Sequence, residues 1–210
     1  MARTRKSRQQ EFRFRTWGGK RKGAGRPRTA PRAMVAHLRR RSFARRMPVH
    51  VTIRMQPRVY NLRSRRGMMA LGRAFFGGKD RFGLRLVHFA VQGNHVHFVV
   101  EAQGHGALSR GMQGLNIRIA RALNRMMAKS GAVLDDRYHA HILKTPAEAK
   151  AALHYLSKNH ETHTKEQGAD PFCSLSRVER PEWLTVHLWV VDSTVWLLTS
   201  ARRTQRGTRG

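Results

Sequence analysis

The chain has 210 residues, 40% of them hydrophobic, enough for one core in a domain of about 120 to 150 residues with extensions. Lysines and arginines number 42 against 12 acidic residues, a net charge of +30 that makes nucleic acid the natural partner. A single cysteine, Cys173, excludes an intramolecular disulfide and a Cys-based zinc cluster, so the expected compartment is a reducing cytoplasm. No membrane partner is expected, because the most apolar segment, Val186 to Leu198, is too short to span and carries Asp192. The N-terminus has positive charge but no apolar stretch of the kind a secretory signal requires.

Residues 1–46 hold 17 of the basic residues and one acid, Glu11, and read as a basic arm, disordered when free or partly helical over Ala33 to Arg46. Within it Lys20, Arg21, Lys22, Arg26 and Arg28 lie in a Gly-rich run ending Gly-Arg-Pro-Arg. That run resembles a hook for a narrow A·T minor groove; a phosphate-binding tail without base preference explains it equally. From Met47, Val49, Val51, Ile53 and Met55 alternate with polar residues as a strand does. Leu62, Met69, Leu71 and Phe75 then mark a helix, with Gly77-Gly78 as its stop signal. A strand from Leu84 to Val91, a turn at Gln92-Gly93-Asn94 and a strand through His95 and His97 read as a hairpin.

Ala107 to Met127 spaces Leu108, Met112, Leu115, Ile119 and Leu123 as a helix, with Arg118, Arg121 and Arg125 mostly off the apolar stripe. Those arginines are candidate DNA-backbone contacts, and an ordinary solvated face is the competing reading. A strand at Tyr138 to Leu143 and a helix after Thr145-Pro146 follow. Trp183, Trp189 and Trp196 sit in an aromatic C-terminal segment that packs on the core or on a second subunit, which leaves a homodimer open. The element order predicts an α+β fold, a ferredoxin-like split βαβ sheet with helices on one face, a basic N-terminal arm and a C-terminal appendage. The expected division is 1–46, 47–165 and 166–210. RNA-recognition domains share this arrangement, so it does not decide function.

Chemistry enters with His95-Val-His97, since residues two apart on a strand share a face and two neutral imidazoles can hold a divalent metal. His139-Ala-His141 is a rival pair, and either is also explained as a structural or surface feature. Thr145, Pro146 and Glu148 form an N-cap, a first-turn proline and a capping box. Tyr155 and Asn159 then fall one turn apart on one helix face. A tyrosine hydroxyl can attack phosphorus and an amide oxygen can join a metal; a packed amphipathic tyrosine is the plainer explanation.

Pro48 to Arg54, Asn94-His95-Val-His97 with Glu101 after it, Arg137-Tyr138-His139 and Tyr155-Leu-Ser-Lys-Asn159 occur in the order of single-tyrosine transposases of the His-hydrophobic-His endonuclease superfamily. The chain resembles their REP-associated tyrosine transposases over roughly residues 47–163, and Ser193 to Leu198 looks like the Thr-Trp-Leu-Leu ending common among them. Gly93 and His160 stand where that family often has proline. The resemblance implies a DNA transposase, or single-strand endonuclease and ligase, acting on hairpin or single-stranded DNA through a 5′-phosphotyrosine. It further implies Tyr155 as nucleophile, with His95, His97 and Asn159 as ligands of Mg2+ or Mn2+. Lys158 is the cation expected near the tyrosine. Two other activities stay open from sequence: a non-catalytic nucleic-acid-binding module, and a metal-dependent nuclease that uses water.

Overall fold

Alternating side chains in the central strands create two faces of different character, and the rest of the molecule is arranged around that difference. The computed structural model describes residues 42, 43, 45–164, 168–176, 178–195 and 198–199. Strand β1 (Arg45–Arg54) is followed by helix α1 (Arg65–Gly78), strands β2 (Asp80–Arg81), β3 (Leu84–Val91) and β4 (His95–Gln103), and helix α2 (His105–Met127). Strand β5 (His139–Ile142), helix α3 (Pro146–Thr164) and a 3-10 turn at Val186–Trp189 complete the order. All strand pairs are antiparallel, in the order β2-β3-β4-β1-β5. The four longer strands thus form a split βαβ sheet, and β2 extends its edge.

One face is apolar. Val49, Val51 and Ile53 of β1, Phe98 and Val100 of β4 and Phe89 and Val91 of β3 join Leu71 and Phe75 of α1 and Met112 and Ile119 of α2 in one core. Each such side chain contributes about 1.5 to 3 kcal/mol on burial, so a one-residue slip, which would replace them with histidines, is strongly disfavoured. A smaller core on the opposite face joins Val87, Ala90 and Val99 to Ala149, Leu153 and Leu156 of α3, with Cys173 and Leu198. The expectation of helices on one face therefore holds for α1 and α2. Helix α3 takes the other, because the histidine-bearing face keeps enough apolar positions to seat it.

The two helix ends agree with the sequence reading in position, and the start of β1 differs from it. Helix α1 ends at Gly78, where the sequence places its end, but its cap is Lys79 in the right-handed region, so no left-handed glycine stops it; a Cβ on Gly78 would meet Leu115 of α2 at 2.9 Å, so this glycine permits close helix approach. Helix α2 ends at Met127, as its spacing predicts, and is capped by Ala128 in the left-handed region with φ 52°. Arg45 and Arg46 are extended in β1, not helical; the remainder of the expected basic helix lies outside the described residues. Trp189 packs in the main core, stacked on Phe89 at 5.9 Å between ring centroids. Trp196 lies outside the described residues. Among the described residues no helix is long and apolar enough to cross a membrane.

Candidate active site

On the face away from α1 and α2, strand alternation presents His50 and Thr52 from β1, His95 and His97 from β4, and His139 and His141 from β5. Thr52 pairs directly with His97 and with His139, and His50 pairs with His141. The sheet register therefore gathers residues from three strands that are far apart in the chain. The sequence reading held His50 and Thr52 only as the polar half of β1 and gave them no part in the site, because alternation within one strand does not show what lies across from it.

His95 and His97 are buried, on the same face, with ring centroids 4.9 Å apart and planes perpendicular. Nδ1 of His95 lies 2.8 Å from Oδ1 of Asn94. An amide oxygen only accepts, so Nδ1 carries a proton, and in the neutral ring Nε2 is the nitrogen with the lone pair. Nδ1 of His97 is 3.0 Å from Oγ1 of Thr52 and 3.3 Å from Nε2 of His50, which fixes the ring and directs its other nitrogen away from β1. Burial, then repulsion from His139 and His141, pushes the His50 imidazole down to about 4, so it is neutral at pH 7. His139 and His141 are exposed, and Nε2 of His141 lies 3.7 Å from Glu148.

Helix α3 supplies the next groups. Oγ1 of Thr145 accepts from the Glu148 N–H, and the Glu148 carboxylate reaches back to the N–H of Lys144, one residue earlier than in an ideal capping box. With its start fixed, α3 sets the Tyr155 ring edge-on to His97 at 5.1 Å and to His50 at 5.7 Å. Tyr155 is 44% exposed, so its ring is open to solvent on one side. One turn on, Asn159 is buried, and its Nδ2 has no hydrogen-bond partner among the described residues. Lys158 pairs with Glu161 at 2.6 Å, which offsets the charge expected to act on the tyrosine.

Gln92 was read only as part of a turn. Its N–H donates to the His95 carbonyl, which closes the β3–β4 hairpin. Its amide is 1% exposed, with neither oxygen nor nitrogen hydrogen-bonded among the described residues. Glu101 has a structural part: its buried carboxylate accepts from the hydroxyls of Ser193 and Thr194 and the N–H groups of Thr194 and Val195, tying the C-terminal segment to β4. Among the described residues no three His, Cys, Asp or Glu side chains form a ligand group. Two imidazoles would thus need a third donor of another kind, and the amide oxygen of the buried Asn159 is of the right chemistry, whereas its orphaned Nδ2 is a hydrogen-bond donor and does not bind a cation. Lys20, Arg21, Lys22, Arg26 and Arg28 lie outside the described residues. Arg118, Arg121 and Arg125 lie on α2, across the sheet from the histidines.

A family model described as IS200-like transposase matches residues 44–159. No curated protein matches the sequence. Among solved structures, a REP-associated tyrosine transposase bound to a REP hairpin is similar at 15% identity and a TM-score of 0.56, over 67% of this chain and 82% of the other. At that identity the likeness concerns the fold alone. A candidate transposase of Deinococcus radiodurans also matches, at 15% identity and a TM-score of 0.41, over 63% of this chain and 99% of the other.

Proposed function

The chain belongs to the IS200-like transposase family, and we propose that it cuts and rejoins single-stranded or hairpin DNA through a covalent link to Tyr155. The observation that carries this reading is the Tyr155 ring, solvent-accessible and packed edge-on against His97. The Tyr155 hydroxyl oxygen attacks the scissile phosphorus, and the bond from phosphorus to the 3′ oxygen breaks. The phenol gives up a proton and the departing 3′ oxygen takes one, leaving a 5′-phosphotyrosine. Attack by a 3′ hydroxyl on that link reverses the step, so strands can be rejoined without an external energy source.

His95, His97 and Asn159 would hold Mg2+ or Mn2+, which polarises the phosphate and stabilises charge on the leaving oxygen. Asn94 and Thr52 orient the two imidazoles. Hairpin DNA as partner is supported by the REP hairpin bound to the structural neighbour. The net charge of +30 suits the same partner. Such a protein would work in the bacterial cytoplasm, on the nucleoid.

Tyr155→Phe removes only the nucleophilic oxygen from an exposed position. Incubated with Mn2+ and a hairpin carrying a single-stranded tail, the unaltered protein should form a covalent adduct that survives a denaturing gel. The Phe variant should form none, while binding the DNA within about twofold of the parent. Cleavage by the Phe variant at the parent rate would transfer the chemistry to water and refute the tyrosine mechanism.

A further inference from the structure

Strand β4 lies between β3 and β1, so each histidine of the His95–His97 pair has one neighbour across from it on either side. Arg54 of β1 pairs with His95 and Thr52 with His97, and Ala90 of β3 pairs with His97. Gln92 completes the set, because its N–H donates to the His95 carbonyl at 2.9 Å and closes the hairpin directly across from His95. A guanidinium has no acceptor, and a methyl group offers no lone pair. The Thr52 hydroxyl is engaged with Nδ1 of His97. Among these four neighbours, only Gln92 brings an uncommitted oxygen.

Alternation sets the face on which that oxygen lies. Phe89 and Val91 enter the main core and Ala90 the smaller core under α3, so Gln92 shares the face of Ala90, His95 and His97. Only 1% of Gln92 is exposed, and neither Oε1 nor Nε2 has a hydrogen-bond partner among the described residues. Burying an unpaired amide opposes folding, which a partner from outside the chain would offset. Residues directly paired across strands have Cβ atoms about 4.5 to 5.5 Å apart. Oε1 of a glutamine and Nε2 of a histidine stand the same number of bonds from Cα, so the two can meet at one height above the sheet. We propose that Oε1 of Gln92 is a fourth ligand of the divalent metal, beside His95, His97 and Asn159; this deepens the reading of the chain as a metal-dependent DNA-cleaving enzyme and rests on it. Two imidazoles and two amides are neutral donors, so the charge of the ion remains available to a DNA phosphate. Such a set suits Mn2+ better than Mg2+, which favours carboxylates and water. With four protein ligands the ion binds before DNA arrives.

The test is Mn2+ binding by the full chain without DNA, read by titration calorimetry, with His95→Ala/His97→Ala marking any uptake by other histidines. Gln92→Met has nearly the same length and removes both unpaired polar atoms, so its metal-free melting temperature should equal or exceed the parent's. Contacts that merely orient a ligand are typically worth about 10- to 100-fold in metal affinity, so loss of a direct ligand should weaken Mn2+ binding by at least about 10-fold. Gln92→Glu keeps an oxygen in place and adds charge, and at about pH 8 it should bind Mn2+ at least as tightly as the parent. A Met variant that binds Mn2+ as the parent does would overturn the proposal, and so would a Glu variant that binds no more tightly than the Met variant. Should the variants misfold, a crystal of the unaltered protein soaked in Mn2+ serves instead. Oε1 of Gln92 should then lie in the coordination shell of the ion; an ion held by the histidines, with Oε1 bonded to an internal water outside that shell, would overturn the proposal. Tyr155→Phe leaves all four donors in place and should bind Mn2+ as the parent does. A parent that binds Mn2+ through Gln92 yet forms no DNA adduct would therefore refute the tyrosine mechanism while leaving this ligand standing.

Discussion

Thr52 stands directly across from His97 in the β1–β4 pairing, with its hydroxyl 3.0 Å from Nδ1. Contacts of this kind orient a metal-binding imidazole, and losing one typically weakens metal affinity about 10- to 100-fold. Thr52→Val keeps the branched shape that a strand favours but removes the hydrogen bond. Titration with Mn2+ should show affinity reduced within that range while the melting temperature changes little. Undiminished Mn2+ binding would mean that Thr52 does not position His97. Cys173 reports on the small core instead. Burial raises its thiol from 9.0 to about 11. Between those values the unfolded chain has released a proton that the folded chain retains. The thiol's contribution to stability is therefore complete below pH 9 and declines as pH rises towards 11, by roughly 2 to 3 kcal/mol. Urea unfolding at pH 8 and pH 10.5 should show a smaller decline in Cys173→Ala than in the parent; identical declines would assign the pH sensitivity elsewhere.

The C-terminal 3-10 turn and α1 are coupled through one close approach. A Cβ on Gly72 would overlap the six-membered ring of Trp189, which itself packs against Phe75 and Phe89. In a helix interior Gly→Ala ordinarily favours folding by about 1 kcal/mol. Displacing a packed indole costs more, since overpacking of a dense core typically destabilises by about 1 to 3 kcal/mol. Gly72→Ala should therefore lower stability by up to about 2 kcal/mol and increase the exposure of Trp189, measurable by denaturant unfolding and tryptophan fluorescence. Greater stability in the variant would show that Trp189 is not held against α1. Gly78 likewise lets α2 approach, a part that its place at the end of α1 hides in sequence. A glycine needed for a neighbour's approach and one needed to end a helix look alike until the neighbour is placed.

At the scale of the whole chain, periodicity within each segment was enough to predict the split βαβ order, since each strand and helix carries its own apolar pattern. The pairing of His95 with His97 and the shared helix face of Tyr155 and Asn159 were legible for the same reason, being separated by two and four residues. His50 and Thr52 were not, because they approach His97 only through a strand pairing that joins residues about 45 apart in sequence. Gln92 was hidden differently, since a turn position conceals whether an amide faces water or the interior. Sequence likewise could not tell which sheet face α2 covers, and so could not separate its arginines from the chemistry. The central claim, that Tyr155 becomes covalently joined to DNA, is tested most directly by trapping the adduct with Mn2+ and a tailed hairpin, digesting it with trypsin, and locating the nucleotide by mass spectrometry. The account predicts the modification on the peptide Ala151–Lys158, whose one tyrosine is Tyr155. Nucleotide attached at Tyr60 or Tyr138, or DNA cleaved with no peptide modified, would contradict it.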